Sequence, residues 1–146
     1  SQDKDIKYRL SKDDLSKWIK AINSVIGADS TNKNTISLRF ISSEEMRRIN
    51  YKFRRVNSPT NVLAFPSELK GRNKINNLIG DIAICFELLK NEAEEQNKEI
   101  IDHLTHLFIH GALHLMGFKH ENELEANNME SLEREILCKL GIDDPY

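Results

Sequence analysis

Residues 110–120 read His-Gly-Ala-Leu-His-Leu-Met-Gly-Phe-Lys-His, and no other stretch restricts the fold as much. His110 and His114 are four residues apart, so on an α-helix their imidazoles stand one above the other on one face. Gly117 is the residue type that ends a helix in a left-handed conformation, letting the chain turn back and carry His120 toward the other two. Three neutral imidazoles converging in this way leave the fourth position of a tetrahedral ion open, the arrangement of a catalytic rather than a structural zinc site. The competing reading is a buried amphipathic helix whose histidines are merely hydrogen-bonded. It gives no reason for the glycine or for the third histidine at that spacing.

The spacing of the three histidines and the glycine matches the metzincin zinc-protease signature, H-E-x-x-H-x-x-G-x-x-H. The glutamate that serves those proteases as general base is replaced by Gly111. A site of peptidase spacing without the peptidase base predicts hydrolysis of another kind of bond, or a base from elsewhere. Zinc held by three histidines lowers the pKa of water to about 7, so the missing carboxylate is tolerable if a phosphate oxygen can accept the proton.

At 146 residues the chain is long enough for one domain with a real core, taken as residues 1–146, and too short to expect two. Charged residues make up 30% and hydrophobic residues 39%, a soluble globular composition. No apolar run approaches the ~20 residues needed to cross a bilayer, and Ser1 to Asp5 lack the apolar stretch of a secretory signal. Cys85 and Cys138 form no C-x-x-C pair, which predicts two buried, inert thiols and a reducing, cytoplasmic setting. The net charge of −2 conceals a division: residues 1–74 carry 16 Lys and Arg against 8 Asp and Glu, residues 75–146 only 5 against 15. The cations concentrate at Arg47, Arg48, Lys52, Arg54 and Arg55. Such a patch can hold phosphates on a mildly acidic protein, or can be a solvated helix face.

Ile6 to Leu10 is a strand candidate. Ser11 can cap a helix to about Ile26, with Gly27 as its stop. Thr35 to Ile41 alternates as a half-buried strand, and Ser42 with Glu45 makes a capping box for a helix through about Phe53. Residues 57–61 read as a turn, Val62 to Phe65 as a strand stopped by Pro66, and Ser67 to Asn77 as a polar, mobile loop. Leu78 to Phe86 reads as a mostly buried strand, followed by a helix from Glu87 to Gln96. A long core helix then begins at Lys98 or Glu99 and carries the histidines. A final helix runs from about Asn122 to Leu140, stopped by Gly141. Strands come early and helices late, which predicts an α+β domain with a small mixed sheet of about four strands and about five helices.

Taken together, the segments Phe53-Arg54, Pro59-Thr60-Asn61-Val62-Leu63-Ala64-Phe65-Pro66, Gly80-Asp81-Ile82, the histidine motif, Glu125-Ala126-x-x-Met129-Glu130 and Asp144-Pro145-Tyr146 resemble the bacterial YbeY-type endoribonucleases, or ribosomal RNA maturation factors. Each segment is weak alone; the ordered set is specific, and it covers nearly all of the chain after residue 35. The resemblance implies a zincin-like fold and cleavage of single-stranded RNA in the maturation of the 3′ end of small-subunit ribosomal RNA and in ribosome quality control. It implies zinc as cofactor, and ribosomal RNA and the small ribosomal subunit as partners. It makes His110, His114 and His120 the metal ligands, and Arg54, with His114, the catalytic residues. Ala64, Phe118 and Lys119 stand where the family often has Ser, Tyr and Asp. None of these is a ligand, and Lys119 could strengthen phosphate binding.

Several residues keep two readings. His106 and His103 share a helical stripe with His110, but a triad of His106, His110 and His114 on one straight helix spans ~12 Å, too long to meet one ion at ~2 Å. They are read as groups behind the ligands or facing RNA, or as ordinary helix histidines. Glu125 could orient a ligand imidazole or complete a capping box with Asn122, the latter preferred. Asp81 is read as structural, Thr60 and Asn61 as substrate contacts or turn formers, and Met129 as packing. A metallopeptidase-like hydrolase and a non-catalytic ribosome-assembly factor with a structural metal remain the alternative functions.

Overall fold

The computed structural model describes residues 12–27, 35–67 and 78–146. The strand expected at Ile6–Leu10, the cap at Ser11 and nearly all of the polar loop before Leu78 lie outside the described residues. The first described helix, α1 (Lys12–Ile26), stops at Gly27 with φ +74°. Strand β1 (Thr35–Ile41) follows, then α2 (Ser43–Arg54), β2 (Val62–Pro66), β3 (Leu78–Cys85), α3 (Phe86–Glu95), α4 (Ile100–Leu115) and α5 (Glu123–Lys139). Among the described residues the fold is α+β with five helices and a small mixed sheet. Among the described residues that sheet has three strands rather than about four, since the remaining candidate is Ile6–Leu10.

Strand β3 is central, parallel to β1 and antiparallel to β2. Buried on both faces, it reads as a nearly continuous apolar run. Ile82 and Ile84 face one core with Trp18 and Ile22 of α1, Leu104, Phe108 and Leu113 of α4, and Met129, Ile136 and Leu137 of α5. Ala83 and Cys85 alternate to the other face, against Ile41, Met46 and Leu63. The sheet thus lies between α2 and the α1/α4/α5 layer. Gly80 is required where β3 passes under α4, because a β-carbon there would stand 2.5 Å from both Phe65 O and Leu115 Cδ2.

Local signals set the helix ends. Ser42 Oγ accepts from Glu45 N at 3.1 Å. Asn122 Oδ1 accepts from Glu125 N at 2.8 Å, and Asn122 Nδ2 donates to Glu125 Oε1 at 3.0 Å, so Glu125 is engaged with the helix cap rather than with a ligand imidazole. Met129 is buried packing. One expectation fails: Cys85 is buried but Cys138 is exposed, because Ile136 and Leu137 take the inward positions of that turn. No described helix is long and apolar enough to cross a membrane.

Candidate metal centre

Helix α4 has buried residues over most of its length, so it is held by packing on several sides. That fixed helix presents His110 and His114 one turn apart, with Nε2 atoms 3.2 Å from each other. After Met116 the chain reverses through Gly117, φ +100°, where Gly117 N and Phe118 N donate to the carbonyls of His114 and Leu113. This Schellman-type ending brings the His120 ring to 5.2 Å from that of His110 and 4.7 Å from that of His114, centroid to centroid. One ligand atom from each of the three lies within 4.8 Å of the others.

These residues fit a divalent ion. Ligands 2.0–2.1 Å from a tetrahedral ion sit about 3.4 Å apart, and the His110–His114 pair is already near that separation. The donor set is all imidazole, which suits zinc and also copper, nickel and iron. Burial, then the neighbouring His110 and His120 rings, push the His114 pKa below its ordinary value, which favours the neutral ring that metal binding needs.

The site opens into a cleft of about 550 Å³. His106, His110, Gly111 and His114 line it from α4, residues 60–64 from β2 and the turn before it, and Arg54, His120 and Tyr146 complete it. Arg54 closes α2 and is exposed. Its position follows from the turn: Arg55 takes a left-handed conformation, φ 59°, and the buried Asn50 donates to Ser58 O at 2.8 Å. Ala64 faces the same cleft, whereas the exposed Lys119 does not line it. Arg47, the first of the basic cluster, is tied to Glu44 and Asn57; Arg48, Lys52 and Arg55 are exposed.

The carboxylate behind the histidines is Glu133, a residue no sequence motif singles out; Glu125, the carboxylate weighed for that place, caps its own helix instead. Glu133 is wholly buried on α5 and accepts from His110 Nδ1 at 2.8 Å, His106 Nε2 at 2.7 Å and the Tyr146 hydroxyl. Burial works to raise its pKa, but the hydrogen bonds from His106, His110 and Tyr146 bring it down to about 2. Burial and that same carboxylate push the Tyr146 pKa up, keeping the phenol a donor. A signal was present: Glu133 interrupts the inward stripe of Met129, Ile136 and Leu140 at helical spacing.

His103 and His106 separate in the structure. His106 belongs behind the ligands, through Glu133. His103 is buried and bonds Glu92 Oε1 at 2.8 Å, so it does not face a substrate. Glu92 also accepts from Asn61 Nδ2 at 3.1 Å, anchoring the turn that enters β2.

Among known proteins, the family described as Endoribonuclease YbeY matches residues 1–141. An endoribonuclease YbeY of Colwellia psychrerythraea is 40% identical over 136 residues, 93% of this chain and 87% of the relative. That of Alteromonas mediterranea is 42% identical over 124 residues, 85% and 78% of the two chains. One from Francisella tularensis subsp. holarctica is 45% identical over 114 residues, 76% and 70%. The solution structure of TM1509 from Thermotoga maritima has a similar fold, with TM-score 0.53 and 21% identity over 87% of this chain and 83% of that one.

Proposed function

Since the chain belongs to the Endoribonuclease YbeY family, we propose that it is a metal-dependent endoribonuclease cutting single-stranded segments of ribosomal RNA. His110, His114 and His120 hold one divalent ion, zinc on this reading, and Arg54 and His114 are the catalytic residues. Its place is the maturation of the 3′ end of small-subunit ribosomal RNA, and the discarding of defective ribosomes, in the cytoplasm. The observation that carries the reading is that three converging imidazoles and an exposed arginine line one cleft.

Bound there, the ion supplies Lewis acidity at a phosphodiester and lowers the pKa of water. Arg54 presents a planar fork that can grip a phosphate with two hydrogen bonds and offset the charge gained at phosphorus. Thr60 and Asn61 line the same cleft. A peptidase is disfavoured at Gly111: in a metzincin the general base springs from this position, whereas here it has no side chain, and a β-carbon added to it would stand 3.2 Å from Ile82 Cδ1. A non-catalytic assembly factor is disfavoured because three protein ligands facing the cleft would leave an ion there with an open position, and structural sites are closed.

The test offers metal-loaded wild-type and His114→Ala proteins both structured ribosomal RNA and unfolded protein. RNA cleavage by the wild type alone supports the nuclease. Proteolysis would transfer the site to the peptidases, and neither activity would leave a binding factor.

A further inference from the structure

We propose that Glu133 is the positioning residue of the three-histidine centre, acting through His110, and that Tyr146 clamps the Glu133 carboxylate from the cleft side. The inference rests on reading that centre as a metal site and assigns residues outside the ligand set.

A neutral imidazole carries one ring proton. Glu133 Oε2, 2.8 Å from His110 Nδ1, can only accept, so it holds the proton on Nδ1. The lone pair is then on Nε2, which points toward His114 Nε2 at 3.2 Å. Left alone, His110 would divide between two tautomers, one of which cannot bind an ion from this side. The carboxylate also makes the ring a stronger donor, as outer carboxylates do for metal-bound histidines.

A wholly buried carboxylate needs partners of its own. Glu133 Oε1 takes hydrogen bonds from His106 and from the Tyr146 hydroxyl. Tyr146 is held there from the exposed side of α5: Arg134 Nε lies 3.1 Å from both Asp144 oxygens, and Asp144 Oδ1 accepts from Tyr146 N at 2.9 Å. The Arg134 guanidinium also lies 5.2 Å over the Tyr146 ring. Neighbouring residues of α5 therefore hold the same segment, Arg134 by its acid and Glu133 by its phenol. The site gains a fixed tautomer from residues that need not touch the substrate.

The test is zinc affinity, measured by competition with a chromophoric chelator, together with the visible spectrum of the cobalt(II)-loaded protein. Glu133→Gln is expected to bind zinc about 10- to 100-fold more weakly, with an altered cobalt spectrum. Imidazole-nitrogen NMR of the metal-free proteins should show His110 protonated on Nδ1 in wild type and shifted toward Nε2–H in the variant. Tyr146→Phe alters a half-exposed ring and keeps the fold, so it stands in should Glu133→Gln not fold; it should weaken zinc several-fold. Wild-type affinity and an unchanged cobalt spectrum in both variants would overturn the proposal and leave Glu133 a pin between helices. A wild-type protein that binds neither zinc nor cobalt would overturn the metal reading itself, a distinguishable failure.

Discussion

Gly111 of α4 lies against Ile82 of β3 so closely that a β-carbon at 111 would stand 3.2 Å from Ile82 Cδ1 and 3.3 Å from its Cγ2. Ile82 is completely buried, so giving way by the few tenths of an ångström required would disturb the packing around it. The glycine is therefore the price of seating the histidine helix directly on the central strand. Gly111→Ala would gain up to ~1 kcal/mol of helix propensity, but overpacking a filled core costs about 1–3 kcal/mol. A net loss of about 1 kcal/mol is expected, read as a lower urea midpoint with unchanged slope. Gly111→Glu should lose more and gain no proteolysis; a stable variant that cleaves unfolded protein would contradict this account of the site.

Arg54 makes no ion pair among the described residues and lines the cleft with the histidines. Arg54→Ala should leave folding and zinc affinity unchanged while lowering RNA cleavage about 100- to 1,000-fold, the usual loss for one contact to transition-state charge. Arg54→Lys should recover only part of it, because an ammonium cannot make the two-pronged contact. Single-turnover cleavage of a labelled RNA fragment checks both, and undiminished cleavage by Arg54→Ala with zinc still bound would remove Arg54 from the mechanism.

What could be read from the sequence was what neighbours in sequence determine. The helix caps at Ser42 and Asn122 and the turn at Gly117 are set by residues three or four apart, and each stands where the pattern put it. The histidine cluster was legible for the same reason, since all three imidazoles come from one helix end and the turn after it. Glu133 and Tyr146 were not, because their bonds to His110 and His106 depend on how α5 and the following segment dock on α4. The link Asn61–Glu92–His103 joins three segments and left no local trace. Cys138 was misjudged because apolar neighbours in sequence lie on other faces of a helix.

Two buried groups give the metal-free protein a defined acid sensitivity. His103 is pushed below its ordinary pKa by burial, against the opposing pull of Glu92. Unfolded chains therefore take up a proton at this residue at higher pH than folded ones, and stability falls as pH drops below about 6.5. Glu133, at about 2 against an ordinary 4.5, acts lower: the stability it contributes is full above about 4.5 and is lost as pH falls toward 2. That contribution is up to ~3 kcal/mol by linkage. Urea titrations in chelator should show the lower step disappear in Glu133→Gln, and an unaltered pH profile would count against the buried, ionised carboxylate.

The outer surface of α2 should determine how strongly salt weakens RNA binding. Arg48, Lys52 and Arg55 are exposed there beside Arg54, while Glu44 is engaged with Arg47. Tyr51 and Phe53, 52% and 61% exposed, stand among these cations, and single strands bind surfaces that combine phosphate contacts with rings on which bases stack. Each cation that meets a phosphate releases a counterion, about 0.7 in the slope of log K against log salt for a single strand. Arg48→Ala, Lys52→Ala and Arg55→Ala combined should lower that slope by up to about 2, and Tyr51→Ala should weaken binding about tenfold with the slope unchanged. Fluorescence anisotropy with a short unstructured RNA over a range of salt separates the two effects. A slope untouched by the triple substitution would mean that RNA reaches the cleft by another path.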